Sequence, residues 1–286
     1  MTYTTLISCA QLHTLLDGGA PLAVFDCSFE LGAPERGEQL YREGHLPGAL
    51  YAHLDRDLSA PEGAARASGG RHPLPTREAF AAWLAGVGLA QDMQVVVYDR
   101  NASSQCARLW WMLKWVGHDA VALLDGGLQA WQAAGGALAS GDEPARTPTP
   151  WPLRAPLRRL VDAAHVLAHL GDGAQTVVDA RAPARFRGEV EPLDPVAGHI
   201  PGALNRPFSD NIALDGRFKP AALLRAEFDA LLAGRDAAGV VHQCGSGVTA
   251  LPNLLAMEIA GYAPSTLFAG SWSEWCADAG RPVARG

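Results

Sequence analysis

Short apolar runs alternate along the chain with segments of helical periodicity. The apolar runs are rich in valine and bounded by turn residues, which is typical of buried strands. We predict strands at Leu22–Cys27, Val95–Asp99, Ala120–Leu124, Thr176–Ala180, Val240–Gln243 and Ser265–Phe268. Apolar residues at every third or fourth position predict helices at Arg77–Ala85, Ser104–Val116, Pro220–Leu232 and Gly247–Ile259. This alternation predicts an α/β fold class, with mainly parallel sheets that carry helices on both faces.

Three sequence landmarks occur twice and in the same order. The segment Gly44–Leu50, GHLPGAL, returns 154 residues later as Gly198–Leu204, GHIPGAL. The other two pairs are Val95–Asp99 with Val240–Cys244, and Leu124–Trp131 with Phe268–Trp275. Spacings of this size indicate a duplicated domain rather than a short-period solenoid.

A change in composition marks the join between the two copies. Residues 140–156 hold five prolines and no periodic apolar pattern, which is typical of a stiff, extended linker. We therefore predict an N-terminal domain over residues 1–139, a linker over residues 140–156 and a C-terminal domain over residues 157–286.

Composition narrows the class of protein. The chain has 286 residues, 48% of them hydrophobic and 19% charged, which is an ordinary globular balance for two domains. Its net charge of −7 argues against a nucleic-acid partner. No apolar run is long enough to cross a membrane, so we expect no membrane partner. The five cysteines have no paired spacing, which predicts free thiols and a cytoplasmic protein.

The segment with the clearest chemistry starts at Cys244, at the carboxyl end of a predicted strand. Ligands of open parallel sheets bind beyond such strand ends. The loop that follows, GSGVT, has two glycines that let backbone N–H groups turn inward as an anion nest, and the next helix adds its positive N-terminal end. Both effects favour a thiolate, so we predict that Cys244 is a nucleophile rather than a buried structural thiol. The amides predicted to bind the anion are those of Gly245, Gly247, Val248 and Thr249.

Three kinds of cysteine chemistry are disfavoured. Dual-specificity phosphatases place an arginine six residues after the cysteine, where this chain has Ala250. A cysteine protease needs a partner base, and no neighbouring segment supplies one. A redox Cys-x-x-Cys pair is absent. A loop of amides around one thiolate remains, and it is suited to carrying a small charged sulfur species.

The chain resembles the rhodanese superfamily, and more closely its tandem-domain sulfurtransferases. The resemblance covers nearly the whole chain. It rests on the two Gly-His-x-Pro-Gly-Ala motifs, the cysteine loop, Val95–Asp99, Trp110-Trp111, Asp125–Gly127, Gly188 and Gly270–Trp275. It implies two tandem rhodanese-like domains, the first a non-catalytic copy with Asp99 at the cysteine position. It also implies sulfur transfer through a Cys244 persulfide, without a cofactor or a metal.

The loop is similar to that of the 3-mercaptopyruvate sulfurtransferase branch, because it lacks the basic residues typical of thiosulfate-preferring members. In that branch the loop serine is grouped with a histidine and an aspartate of the N-terminal domain. The matching residues are Ser246, His72 and Asp55. Such a relay could manage a proton of the departing group, with the aspartate fixing the imidazole tautomer. The alternative is that His72 and Asp55 are ordinary loop residues.

Arg185 matches the arginine that the family holds beside the cysteine loop, where a guanidinium fork suits a carboxylate. Arg181 and Arg187, in the same segment, are expected to be solvated surface residues. The mercaptopyruvate branch usually has a second substrate arginine shortly downstream. This chain has the acidic segment Glu189–Asp194 there, which we expect to weaken carboxylate binding. Arg206 is a candidate substitute.

The sequence thus predicts an enzyme that moves sulfane sulfur from 3-mercaptopyruvate through Cys244 to a thiophilic acceptor. The acceptors considered are cyanide, a small thiol and a thioredoxin-like dithiol protein. Two alternatives stay open: thiosulfate as the donor, and a persulfide carrier that receives its sulfur from a protein and does not turn over.

Overall fold

The structure, a computed structural model, describes residues 2–286, which form two compact units. The first unit consists of residues 2–65, 75–157 and 214–217, and the second of residues 66–74, 158–213 and 218–286. Each unit therefore includes one short segment that is remote in sequence. The segment 66–74 places His72 in the same unit as Cys244.

The first unit contains a parallel five-stranded sheet with the strand order β1-β5-β4-β2-β3. The strands are β1 (Leu6–Ile7), β2 (Leu22–Asp26), β3 (Ala49–Tyr51), β4 (Gln94–Tyr98) and β5 (Val121–Leu124). The helices are α1 (Cys9–Asp17), α2 (Pro34–Glu43), α3 (Arg77–Gly86), α4 (Cys106–Trp115) and α5 (Gly127–Ala133).

The second unit repeats this topology, with the strand order β6-β10-β9-β7-β8. The strands are β6 (Arg159–Val161), β7 (Thr176–Asp179), β8 (Leu204–Asn205), β9 (Val240–Gln243) and β10 (Thr266–Phe268). The helices are α6 (Ala163–Ala168), α7 (Pro183–Phe186), α8 (Ala221–Leu232), α9 (Leu251–Ile259) and α10 (Ser271–Trp275). The predicted fold class and the duplication are confirmed.

Strands β4 and β9 lie in the middle of their sheets, and every residue in them is buried. Burial on both faces explains why they are continuous apolar runs rather than alternating ones. The six predicted strands agree with the structure to within one residue at each end. The four strands that were not predicted are the sheet edges, each only two or three residues long and too short to show a period.

Two helices start at least two residues later than predicted, and for the same reason in each unit. Helix α4 begins at Cys106 rather than Ser104, and α9 begins at Leu251 rather than Gly247. In both units the chain first curls around the residue that follows the central strand, Asp99 in one and Cys244 in the other. The helix can start only after that loop is complete.

The predicted linker, residues 140–156, forms no helix or strand and belongs to the first unit. Its backbone is bonded to that unit, for example by the Thr149 N–H, which donates to the Ala85 carbonyl at 2.9 Å. Gly88 has a φ of +69°, and a Cβ there would lie 2.6 Å from the Thr147 carbonyl oxygen. A glycine is therefore required where this extended segment passes. Within residues 2–286, no helix is both long and apolar enough to cross a bilayer.

Candidate active site

Cys244 directly follows β9, and its sulfur is buried. The Gly247 N–H donates to Cys244 Sγ at 3.2 Å. The Cys244 N–H donates to Ser271 Oγ at 3.1 Å, and the Cys244 carbonyl accepts from the Trp272 N–H at 3.0 Å. The loop is thus fastened to the start of α10, which fixes the position of the thiol.

Gly247 shapes the loop. Its φ is +75°, and a Cβ at this position would lie 2.1 Å from the Ala269 carbonyl oxygen. Only glycine fits both the left-handed conformation and the close backbone approach. This conformation is what directs the Gly247 N–H at the sulfur of Cys244.

The first unit shows what the equivalent loop binds when no cysteine is present. The Asp99 carboxylate accepts four backbone N–H bonds. Oδ1 accepts from Asn101 and Ser103 at 2.8 and 2.9 Å, and Oδ2 accepts from Gln105 and Cys106 at 2.8 and 2.9 Å. The loop of the first unit is therefore an anion nest that its own side chain fills.

The repeat aligns those donors with the N–H groups of Ser246, Val248, Ala250 and Leu251. Within residues 2–286, the N–H groups of Ser246, Val248 and Ala250 donate to no acceptor. The same holds for the predicted amides of Gly245 and Thr249. This side of the loop can therefore bind an anion carried on Cys244 Sγ, as the matching amides bind the Asp99 carboxylate.

The structure brings Ser246 and His72 together. Ser246 Oγ and His72 Nδ1 lie 2.8 Å apart and share a hydrogen bond, and both side chains are buried. The segment that carries His72 is anchored to α10 by the Gly69 N–H, which donates to Glu274 Oε2 at 3.2 Å. This pair can relay a proton close to the cysteine loop.

Asp55 belongs to the first unit. Its backbone N–H donates to His53 Nδ1 at 3.1 Å. Burial raises the pKa of the Asp55 carboxyl, against the opposing effect of the His53 and Arg108 charges. Its grouping with Ser246 and His72 stays a prediction.

Two guanidinium groups flank the cysteine loop, and only one of them was predicted. A Cβ on Gly245 would lie 3.4 Å from Arg185 Nη1 and 3.4 Å from Arg71 Nη2. Arg185 is thus beside the loop, as the resemblance implies. Arg71 was not predicted. It immediately precedes His72 in the sequence, and this position was the one signal that could have identified it.

The acidic segment holds these two arginines. Arg185 donates from Nε and Nη2 to Glu191 at 3.2 and 2.6 Å, and from Nη2 to Asp194 Oδ2 at 3.1 Å. Arg71 Nη1 donates to Asp194 Oδ1 at 2.9 Å. Although burial acts to raise it, hydrogen bonds from Arg185 and from backbone N–H groups hold the pKa of Glu191 below its ordinary value. Both carboxylates therefore orient cations beside the loop.

The other arginines of this segment differ from one another. The expectation that Arg181 is solvated is wrong: it is buried, its Nη2 donates to Asp179 Oδ2 at 2.7 Å, and its guanidinium carbon lies 4.6 Å from the centre of the Trp272 ring. An aspartate at the end of β7 and an aromatic face provide that burial. Arg187 is at the surface as expected, paired with Glu189 at 2.7 Å.

Arg206 is not the substitute for the missing substrate arginine. Its guanidinium is buried, donating to Asn211 Oδ1 at 2.9 Å and to Glu227 Oε2 at 2.8 Å, and it stacks on the Phe228 ring. These contacts occupy it in packing around α8.

The remaining thiols have ordinary buried surroundings, and all five cysteines are free. Burial raises the pKa of Cys9, Cys27, Cys106 and Cys276. Within residues 2–286, no cluster of three or more histidine, cysteine or acidic side chains is arranged to hold a metal ion.

Comparison with known proteins agrees with this geometry. The rhodanese-like domain matches residues 8–134 and residues 162–278. The chain belongs to the rhodanese family. This rhodanese-family protein is 49% identical, over the full length of both chains, to a probable 3-mercaptopyruvate sulfurtransferase of Pseudomonas aeruginosa.

Among the other relatives of this rhodanese-family protein, some are named for thiosulfate as the donor and others for 3-mercaptopyruvate. It is 40% identical to a putative thiosulfate sulfurtransferase of Mycobacterium tuberculosis, over 98% of this chain and 97% of the relative. Among solved structures, it superposes on the 3-mercaptopyruvate sulfurtransferase of Escherichia coli with a TM-score of 0.77 and 30% identity. That superposition covers 95% of this chain and 100% of the other.

Proposed function

We propose that this protein is a sulfurtransferase in which Cys244 takes sulfane sulfur from 3-mercaptopyruvate and passes it to a thiophilic acceptor. The observation that carries the proposal is the position of Cys244 Sγ, which accepts the Gly247 N–H at 3.2 Å within the loop that follows β9. A thiolate and a persulfide are both anions, so the same N–H groups stabilise the two resting forms of the sulfur.

In the first step the Cys244 thiolate attacks the sulfur of 3-mercaptopyruvate. A sulfur–sulfur bond forms, the carbon–sulfur bond breaks, and its electron pair leaves as the enolate of pyruvate. The donor thiol proton ends on the enolate carbon, giving pyruvate and an ionised Cys244 persulfide. We assign the movement of this proton to the hydrogen-bonded pair of Ser246 and His72.

In the second step the acceptor attacks the outer sulfur of the persulfide. With cyanide, a carbon–sulfur bond forms, the sulfur–sulfur bond breaks, and thiocyanate leaves while the Cys244 thiolate is restored. A small thiol accepts the same sulfur as a persulfide. A thioredoxin-like dithiol protein releases it as hydrogen sulfide and becomes a disulfide. No cofactor is needed for this double displacement.

The side chains of the loop favour mercaptopyruvate over thiosulfate. Thiosulfate carries its charge next to the transferred sulfur, so it benefits from cationic side chains within the loop. This loop offers only backbone amides and the hydroxyls of Ser246 and Thr249, with no cationic side chain. The Arg185 guanidinium belongs to a separate segment and lies beside Gly245. A carboxylate that is separated from the sulfur, as in mercaptopyruvate, matches that arrangement.

Thiosulfate is the second candidate donor, and the observation in its favour is the M. tuberculosis relative at 40% identity that bears that name. Steady-state kcat/KM for both donors, with cyanide as the acceptor, decides between them. A higher value for 3-mercaptopyruvate supports the proposal, and a higher value for thiosulfate overturns the choice of donor. A single equivalent of transferred sulfur with no further turnover would identify a carrier instead.

A cytoplasmic location is part of the proposal. All five cysteines are free, and a thiol that must cycle between thiolate and persulfide is kept reduced in that compartment. Fractionation of cells that express the native protein would test the location.

A further inference from the structure

Arg71 is a cation beside the cysteine loop to which the proposed mechanism assigns no role. We propose that Arg71 is the second donor-binding guanidinium of this site, which together with Arg185 grips the carboxylate of a short α-keto acid. The inference rests on the proposed function and names the group that selects its substrate class.

The first argument is convergence. The Nη2 atom of Arg71 and the Nη1 atom of Arg185 lie at the same distance, 3.4 Å, from the Cβ position of Gly245. The two nitrogens approach one point on the rim of the cysteine loop from different segments of the chain. Gly245 has no side chain to fill that point, so a ligand atom can reach both nitrogens.

The second argument is the hydrogen-bonding capacity of the two groups. Arg71 Nη1 is bonded to Asp194, but within residues 2–286 neither its buried Nε nor its Nη2 has a hydrogen-bond acceptor. Arg185 bonds through Nε and Nη2, which leaves Nη1 without an acceptor in the same range. The donors without acceptors thus include the two nitrogens that converge on Gly245. A carboxylate has two oxygens and can accept from both.

The third argument is the bridge between the arginines. The Asp194 carboxylate is almost completely buried, with Oδ1 bonded to Arg71 at 2.9 Å and Oδ2 bonded to Arg185 at 3.1 Å. Two guanidinium groups this close would repel each other without an anion between them. Asp194 therefore sets their spacing and orients both toward the loop.

The position of Arg71 also accounts for the acidic segment. The mercaptopyruvate branch usually carries its second substrate arginine in this downstream segment, where the chain instead has Leu193 and Asp194. Here the segment supplies acceptors, since the Leu193 carbonyl and the Asp194 carboxylate both accept from Arg71 Nη1. The cation comes from the segment 66–74, next to the proton-handling His72.

The test pairs a variant of the protein with a variant of the donor. Arg71→Gln is compared with wild type on 3-mercaptopyruvate and on mercaptoacetone, which has a methyl group in place of the carboxylate. With 3-mercaptopyruvate we expect kcat/KM to fall roughly tenfold to a hundredfold, mainly through KM. With mercaptoacetone, a poorer donor, we expect wild type and variant to be equal within about twofold.

Arg66→Gln is the matched control, because Arg66 lies in the same segment and is exposed. It should behave as wild type on both donors. Arg71→Lys keeps the positive charge near Asp194 but loses the planar guanidinium group. We therefore expect its KM for 3-mercaptopyruvate to lie between those of wild type and Arg71→Gln. This variant also answers the question if Arg71→Gln does not fold.

An equal loss on both donors would overturn the proposal, because it would mean that Arg71 only supports the loop. No loss relative to Arg66→Gln would overturn it as well. If wild type transfers sulfur from neither donor, the proposed function is wrong. Calorimetric binding of pyruvate then tests Arg71 separately: weaker binding by Arg71→Gln than by Arg66→Gln supports the guanidinium pair, and equal binding refutes it.

Discussion

Cys244 differs from the other cysteines in what surrounds its sulfur. Its Sγ accepts a backbone N–H from Gly247. Burial raises the pKa of each of the other thiols, those of Cys9, Cys27, Cys106 and Cys276. Exposure alone would rank Cys9 and Cys276, each 8% exposed, ahead of Cys244 at 1%. We infer that the backbone N–H donated to its sulfur ranks Cys244 first in reactivity.

We therefore predict that iodoacetamide at neutral pH modifies Cys244 before any other cysteine. Mass spectrometry of peptides from a time course gives the order directly. Modification of Cys9 or Cys276 first would mean that access, and not the anion nest, controls reactivity.

Replacing the proposed nucleophile tests its role most directly. Cys244→Ser keeps the size of the buried side chain, but a hydroxyl cannot carry sulfane sulfur. We expect sulfur transfer to fall below about one per cent of wild type with either donor. The midpoint of thermal unfolding serves as the control and should remain close to that of wild type. Larger residual transfer would exclude Cys244 as the nucleophile.

Ser246 has a narrower predicted role. If it moves a proton to the enolate together with His72, its loss affects mercaptopyruvate, whose leaving group needs a proton, more than thiosulfate, whose leaving sulfite does not. For Ser246→Ala we expect kcat with mercaptopyruvate to fall about tenfold to a hundredfold more than kcat with thiosulfate. Equal losses with the two donors would assign Ser246 to loop structure instead.

The strand–loop–helix element depends on one backbone position. Gly247→Ala combines a positive φ with a Cβ placed 2.1 Å from the Ala269 carbonyl oxygen. The loop must move, and the Gly247 N–H then leaves the sulfur. We expect a loss of stability of about 2–4 kcal/mol in urea denaturation and a large loss of sulfur transfer.

Gly261→Ala is the matched control for that experiment. Gly261 also has a positive φ, of +83°, but a Cβ there meets no atom of residues 2–286 within 4 Å. It should cost only about 1 kcal/mol, the strain of the conformation itself, with transfer unchanged. Similar losses for the two variants would show that strain, and not the close approach at Gly247, governs the loop.

Prediction from sequence succeeded at the element scale where the signal is local and failed where it depends on partners far along the chain. Strand β9 is a buried run with a glycine-rich segment directly after it, so β9 and its cysteine loop were identified. Arg181 was misjudged because its burial depends on the ring of Trp272, about ninety residues away. Arg71 was missed because Asp194, which holds it beside the loop, lies 123 positions further on.

At the scale of the whole molecule, the duplication places a carboxylate and a thiol at equivalent positions. The Asp99 carboxylate accepts four loop N–H groups, whereas, on our proposal, the loop around Cys244 leaves most of its amides to the transferred sulfur. On that proposal, the loop stabilises the fold in the first copy and supports sulfur transfer in the second. Functional sites commonly give up such local stability for activity.

This division predicts that Asp99→Ala destabilises the protein strongly without affecting the chemistry at Cys244. Asp99 is buried, and its removal leaves four N–H donors, two of them on buried residues, without their acceptor. We expect the free energy of unfolding in urea to fall by about 2–5 kcal/mol. Asp172→Ala is the control, because that exposed carboxylate accepts, among residues 2–286, just the N–H groups of Ala174 and Gln175. Its loss should cost less than about 1 kcal/mol.

The effect on sulfur transfer is measured under conditions far from the unfolding transition, where both variants are fully folded. There, kcat/KM for 3-mercaptopyruvate should match wild type within about twofold for Asp99→Ala and for Asp172→Ala. A stability loss no greater than that of the control would mean that water replaces the carboxylate at little cost. The amide loop would then be a weak anion nest, and the stabilisation of a persulfide at Cys244 by the same loop would lose its main support.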